Sequence, residues 1–187
     1  MRVKPPRSSI LALSLGIAFV SSQGCIGPHL SPTELRSVAD RIDVEALSYR
    51  YAWGVDTLDR AMLSTVFEPE AIAHYVAVGD NPMNLDERLI GFDAIFDWLH
   101  ANLAQRKGHE ALPMHFITNP LVTLDGETAE LRYYMHNRAS SVGGVYYVDA
   151  VRGREGWRIR RLRLEEQTWN AEAYEHDENA QKYLETP

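Results

Sequence analysis

Residues 114–168 read MHFITNPLVTLDGETAELRYYMHNRASSVGGVYYVDAVRGREGWRIRRLRLEEQT, and this stretch decides the fold. Four extended segments follow one another, Met114 to Leu124, Thr128 to Ser140, Val145 to Arg152 and Trp157 to Thr168, each rich in β-branched and aromatic residues. Between them stand Asp125-Gly126, Gly143-Gly144 and Gly153-Arg154-Glu155-Gly156, the residue types that tight hairpin turns demand. Connections this short join antiparallel neighbours, because a parallel return needs a crossover of about a dozen residues or more. This half of the chain is therefore expected to form an antiparallel meander.

Upstream the hydrophobic period changes. Leu35, Val38, Ile42, Ala46, Leu47, Tyr49 and Trp53 recur at mostly three- and four-residue intervals, which predicts one long amphipathic helix ending near Gly54. Ser31 or Thr33 can cap it, with Glu34 in the first turn. A second, short helix is expected from Leu58 to Phe67, where Asp59 is the better capping residue and leaves Asp56 for another task. Pro69 ends it, Ala71 to Val78 reads as a strand, and Gly79-Asp80-Asn81-Pro82 reads as a turn. Gly91 to Gln105 is helical by the spacing of Phe92, Ile95, Phe96, Leu99 and Leu103, and Gly108 breaks it. Helices first and an antiparallel sheet afterwards make an α+β domain over residues 34–170. Residues 171–187 are polar and acidic, a closing helix or a loose tail.

The amino terminus differs from the rest. Arg2, Lys4 and Arg7 lead into an apolar run from Ile10 to Val20 and then to Ser21-Ser22-Gln23-Gly24-Cys25, the layout of a secretory signal peptide over residues 1–25, followed by a linker over 26–33. The run falls short of the ~20 apolar residues that cross a bilayer. Cys25, the only cysteine, follows Gly24 as in a bacterial lipoprotein processing site, although Ser22 stands where leucine is usual. Lipidation at Cys25 with membrane anchoring, or plain cleavage nearby, are the two readings, and both give an exported protein, periplasmic or at the outer membrane or cell surface. One cysteine excludes an intramolecular disulfide and argues against a zinc–thiolate site.

With 45% hydrophobic and 24% charged residues among 187, the chain has the material for one core. Its formal net charge of −7 makes nucleic acid a poor partner. Arg152, Arg154, Arg158, Arg160, Arg161 and Arg163 alternate with Ile159, Leu162 and Leu164 and read as the solvated face of a strand.

No phosphate loop, zinc-protease motif, nucleophile elbow or dinucleotide fingerprint is present, so no cofactor or metal is expected. What remains is a set of ionisable groups on the strands and at the first helix end: Asp56, His74, Tyr75, His115 and His136. His136 shares an alternating face with Arg132, Tyr134 and Arg138, while Leu131, Tyr133 and Met135 occupy the other. That polar face either meets solvent, the ordinary outcome for an antiparallel sheet, or lines a cavity if the sheet curls. His115 likewise is either a hydrogen-bonded core residue or an acid–base group.

The order of Tyr51-Ala52-Trp53-Gly54-Val55-Asp56-Thr57-Leu58-Asp59, Phe67-Glu68-Pro69-Glu70-Ala71, His74-Tyr75, Gly91-Phe92-Asp93-Ala94-Ile95, His115 to Asn119, Asp125 to Ala129, Gly144 to Asp149 and Gly156 to Ile159 resembles the SnoaL-like proteins of the nuclear-transport-factor-2-like superfamily. The resemblance covers about Leu35 to Trp169. It implies a cone-shaped barrel, a curved antiparallel sheet wrapped by amino-terminal helices. Within the superfamily the chain is most similar to scytalone dehydratase and bile-acid dehydratases, which match at Asp56, Tyr75, His115 and His136 and depart at Val55, where scytalone dehydratase has a tyrosine.

The implied activity is cofactor-independent elimination of water from a β-hydroxy carbonyl or polycyclic hydrophobic substrate. His115 would be the base, Asp56 would hydrogen-bond His136, and Tyr75 would polarise the carbonyl. Trp53, Val55, Phe67, Met114, Tyr134, Tyr147 and Trp169 are candidates for the substrate-facing wall, with plain core as the competing reading for these aromatics. A non-catalytic module binding a small hydrophobic molecule, and an isomerase or polyketide-cyclase-like enzyme, are the alternatives. A homodimer or homotrimer is the assembly that relatives suggest.

Overall fold

The computed structural model describes residues 29–104, 114–138 and 142–170. The proposed signal peptide, Cys25 and the tail over 171–187 lie outside the described residues. Two helices, α1 (Pro32–Thr57) and α2 (Arg60–Val66), precede strand β1 (Phe67–Ala77) and strand β2 (Asp86–Ile90). Helix α3 (Phe92–Leu103) follows, then β3 (Phe116–Asp125), β4 (Thr128–His136), β5 (Val142–Gly153) and β6 (Gly156–Trp169). No helix among the described residues is long and apolar enough to cross a membrane.

The local chemistry explains the helix boundaries. Ser31 accepts the main-chain N–H of Glu34 while the Glu34 carboxylate reaches back to the N–H of Ser31, a reciprocal cap ahead of Pro32. At the other end Leu58 takes a left-handed conformation at φ 49° and closes α1 three residues beyond Gly54. Asp59 then caps α2 by accepting the N–H of Met62 at 2.9 Å.

The six strands form one sheet in the order β2-β1-β6-β5-β4-β3. From β3 to β6 it is the expected antiparallel meander, except that Gly143 and Gly144, expected as a turn, lie within β5 opposite His136 and Met135, and β1 pairs antiparallel with β2. β1 and β6, however, run parallel, from Phe67↔Ile159 to Ala77↔Glu166, so the sheet is mixed. It does not close into a barrel: β2 and β3 are its two edges. β2 lies between the expected turn at Gly79 to Pro82 and the expected helix from Gly91, where no element is expected, since its five residues include Asp86, Glu87 and Arg88. Charged side chains are the usual dress of an edge strand.

Helix α1 holds a second surprise. It packs on the sheet through Val44, Leu47, Tyr51 and Val55, all buried. Of the periodic set, Leu47 is buried on that face, whereas Leu35, Val38, Ile42, Tyr49 and Trp53 lie on the opposite side and are exposed, Trp53 by 60%. The helix is thus apolar on two faces, and the stripe that announces the helix in the sequence is the one turned away from the core. Helix α3 buries Ile95 and Leu99 against the same core, as its spacing predicts.

Candidate active site

The carboxyl-terminal end of α1, the middle of β1, helix α3, the start of the β3 segment and the far ends of β5 and β6 converge on one cavity of about 100 Å³. That is room for several waters or one compact organic molecule, given the ~10–15 Å³ that a single water takes on this measure. Its walls are mostly apolar, with Val55, Leu85, Leu99, Met135 and Leu164 among them, and Trp98 and Trp169 add aromatic faces. Polar groups enter from His115, Asn102, Glu166 and three tyrosines, Tyr51, Tyr75 and Tyr146. An apolar enclosure with a few convergent polar groups is the ordinary form of a small-molecule site.

At this cavity Asp56 and His115 form a two-point pair. His115 Nδ1 lies 2.5 Å from Asp56 Oδ1, and the main-chain N–H of His115 donates to Asp56 Oδ2 at 3.0 Å. Both side chains are largely covered, at 13% and 8% exposure. The last turn of α1 supplies the carboxylate. The residue just before β3 supplies the imidazole, preceded by Met114 at a φ of 55°. A carboxylate only accepts, so Nδ1 carries the proton and Nε2 is left as the basic nitrogen of a ring that lines the cavity.

The pairing corrects the expected one. Asp56 holds His115, and His136 is on the other face of the sheet. On β4 the side chains of Leu131, Tyr133 and Met135 are buried, whereas Arg132, Tyr134 and His136 alternate with them and are exposed. There His136 stacks on Phe116 with ring centroids 5.0 Å apart, and its Nδ1 lies 3.0 Å from its neighbour Asn137's carbonyl oxygen. The apolar half of β4 takes the core side because burying it releases more free energy than burying an arginine, a histidine and a phenol that water solvates. His74, also on the outer face, bridges Arg163 and Asp86 at 2.7 and 2.6 Å.

Tyr75 belongs to a chain of phenols. Its hydroxyl is 3.0 Å from that of Tyr51, to which the Tyr146 hydroxyl donates at 3.5 Å. Tyr75 stacks on Trp98 at 4.5 Å, and Tyr133 stacks on Tyr146 at 4.9 Å. Burial pushes the phenols of Tyr51, Tyr75, Tyr133 and Tyr146 well above their ordinary range, with neighbouring phenols adding to the effect, so they stay protonated as donors. If Tyr146 donates to Tyr51 and Tyr51 to Tyr75, the Tyr75 proton is the one offered to the cavity.

The expected wall residues divide. Val55 and Trp169 line the cavity. Phe67 is buried in the core at 1% exposure, edge-on to Tyr51 at 5.8 Å, and does not line the cavity. Trp53, Met114, Tyr134 and Tyr147 are exposed and are not among its described lining residues, with Trp53 on the outer stripe of α1 and Tyr134 and Tyr147 on the outer face of the sheet. Tyr51, Tyr146 and Glu166 were not anticipated. Glu166 had a signal in the sequence: it continues the alternation of Leu162 and Leu164, the inward row of β6.

The sequence profile of the SnoaL-like domain matches residues 36–163. An uncharacterized protein of Mycobacterium tuberculosis is 28% identical over 140 residues, covering 70% of this chain and 88% of its own length. Among solved structures, a nuclear-transport-factor-2-like protein with a cystatin-like fold from Novosphingobium aromaticivorans superposes with a TM-score of 0.56 at 19% identity, covering 82% of this chain and 94% of that one. Another protein of that organism, provisionally named a scytalone dehydratase, superposes with a TM-score of 0.55 at 16% identity over 71% and 87% of the two chains. At these identities the structural likeness speaks for the fold.

Proposed function

Starting from a chain that belongs to the SnoaL-like domain family, we propose that it is a cofactor-independent acid–base enzyme, a dehydratase that eliminates water from a compact, largely hydrophobic β-hydroxy carbonyl compound. The observation that carries this reading is the Asp56–His115 pair on an apolar cavity with a row of protonated phenols. A solved relative provisionally named a scytalone dehydratase adds weight to the choice of reaction.

The steps follow from the chemistry of these groups. His115 Nε2 takes the proton from the carbon next to the carbonyl, and the electron pair moves toward the carbonyl oxygen as an enolate. The Tyr75 hydroxyl donates to that oxygen, supported behind by Tyr51 and Tyr146. Asp56 keeps the Nδ1 proton in place and steadies the imidazolium that results. The imidazolium then returns its proton to the β-hydroxyl, the C–O bond breaks, and water and the conjugated enone leave. A positioned base and acid of this kind supply roughly 10²–10⁴-fold, with the donors in the largely apolar cavity supplying more.

A panel of β-hydroxy ketones, followed by the ultraviolet absorbance of the enone product, tests the reading. Turnover by the native protein that disappears in His115→Ala supports it. Tight binding of panel compounds with no turnover in either protein would replace it with a binding module.

The basic, apolar and small-residue succession over residues 1–25 supports export, and Cys25 after Gly24 supports a lipid on the mature amino terminus. The intact mass of the mature protein decides this second proposal: a diacylglyceryl-bearing Cys25 is the expected result, and an unmodified terminus at another residue sinks it.

A further inference from the structure

Strand β6 turns Trp157, Ile159, Leu162, Leu164 and Glu166 inward, so a carboxylate completes an otherwise apolar row. Glu166 is 6% exposed and lines the cavity, where it is the one carboxylate among the described lining residues.

The backbone that carries Glu166 is held from two directions. Its carbonyl oxygen accepts the N–H of Val78 at 2.9 Å and the side-chain amide of Asn81 at 3.1 Å, both from the segment that follows β1. On the other side β5 presses close at Gly144, where a Cβ would stand 2.2 Å from the Glu165 carbonyl oxygen and 3.0 Å from the Glu166 Cα. Only glycine admits that approach. The register slips at the same place, between Gly143 and Gly144, and bulges of this kind aim a side chain. The Glu166 charge is also felt at Tyr146, whose phenol it helps to push up.

An ionised carboxylate accepts hydrogen bonds and donates none, so the group in a ligand that complements it is a donor such as a hydroxyl. Buried polar groups of this kind discriminate strongly, because a ligand lacking the matching donor leaves them underused in a medium of low dielectric. We propose that Glu166 is a ligand-binding residue that accepts a hydrogen bond from a hydroxyl group of a small cyclic ligand, making the cavity selective for ring compounds that carry a hydroxyl away from the reacting end. The inference rests on the preceding reading only in placing a ketone as the ligand's other end, toward His115 and Tyr75.

The test compares 4-hydroxycyclohexanone with 4-methylcyclohexanone, which has nearly the same shape and no donor. Binding to the purified mature protein is read from the fluorescence of Trp98 and Trp169, both on the cavity wall. The native protein is expected to bind the hydroxy ketone roughly tenfold to a hundredfold tighter, the range for a hydrogen bond to a charged acceptor. Glu166→Leu is expected to reverse the preference. Glu166→Gln keeps an acceptor oxygen and the shape, so a preference several-fold smaller in the same direction is expected there, and this variant decides the matter if Glu166→Leu does not fold. Equal affinities in the native protein, no binding of either ketone, or a preference unchanged in Glu166→Gln overturns the proposal. Because the readout is binding, selectivity for the hydroxy ketone in a native protein that eliminates water from none of the β-hydroxy ketones refutes the dehydratase reading alone.

Discussion

In the Asp56→Asn variant the turnover of β-hydroxy ketones is expected to fall by roughly 10²–10⁴-fold, with little change in stability. The asparagine oxygen can still accept the main-chain N–H of His115, which now bonds to Oδ2 at 3.0 Å. Its amide nitrogen then faces Nδ1, where the carboxylate oxygen stood at 2.5 Å, and an N–H cannot accept the proton that Nδ1 carries. The imidazole is driven to the other tautomer, with the proton on Nε2 and the lone pair turned toward the asparagine. The cavity then meets a donor where it had met a base. Steady-state kinetics beside a thermal unfolding curve separate this from simple damage: kcat should collapse while Tm holds. Turnover within a few-fold of the native enzyme would remove Asp56 from any role in orienting His115.

A steep loss of stability above pH ~10 is the second expectation, and its origin is the buried phenols. Tyr51, Tyr75, Tyr133 and Tyr146 have folded-state pKa values raised well above 10.0, first of all by burial. A tyrosine raised in this way is protonated and neutral when folded. Its contribution to stability is fully present below the unfolded value of ~10, and it is lost as the pH climbs from there toward the folded values. Each such group costs about 1.4 kcal/mol per pH unit in that window, and the four together about 6 kcal/mol per pH unit, which is comparable to the whole stability of a typical domain. Unfolding is therefore expected within one or two pH units. Tyrosinate absorbance followed together with far-ultraviolet circular dichroism checks it: four of the nine tyrosines should ionise only as the fold is lost. Complete titration of all nine with the dichroism intact would mean that these phenols are reached by solvent.

Much of this architecture was legible because local rules and tertiary packing agree along β3 to β6. The turns at Asp125-Gly126 and at Gly153 to Gly156 fix two pairs of neighbours, and alternation fixes which residues share a face, whereas Gly143 and Gly144 mark a bulge inside β5 and no turn. Asp59 as the α2 cap was legible for the same reason, a local hydrogen bond at a local position. The parallel pairing of β1 with β6 was not, because nothing near Phe67 or Ile159 records a partner some ninety residues away.

In the site, the approach of Asp56 and His115 is equally non-local, and the resemblance brought both to one place while assigning the aspartate to the wrong imidazole. Period-two alternation had already put His136 with Arg132 and against Leu131, Tyr133 and Met135. Weighing that division by burial alone would have left it outside. Glu166 is the opposite case: Glu165 and Gln167 beside it have the composition of a solvated strand, while its place in the row of Leu162 and Leu164 belongs to the core.

Helix α1 presents a choice that hydrophobicity leaves open. With Val44, Leu47, Tyr51 and Val55 on one side and Leu35, Val38, Ile42 and Trp53 on the other, a half-turn roll about its axis would exchange one apolar seam for another. What distinguishes the two orientations is polar. Asp40, on the inward side, meets the Arg152 guanidinium and accepts from the Trp157 indole at 3.4 Å, and Arg41 donates to the Val122 carbonyl at 2.9 Å. Further along, Tyr51 meets Tyr75 and Tyr146. These contacts act as keys in a lock of otherwise interchangeable grease: rolled the other way, they would leave buried charge and phenol without partners, a penalty no apolar seam can offset. The same roll would swing Asp56 away from His115, so the rotational setting of one helix and the protonation of one imidazole are a single structural decision.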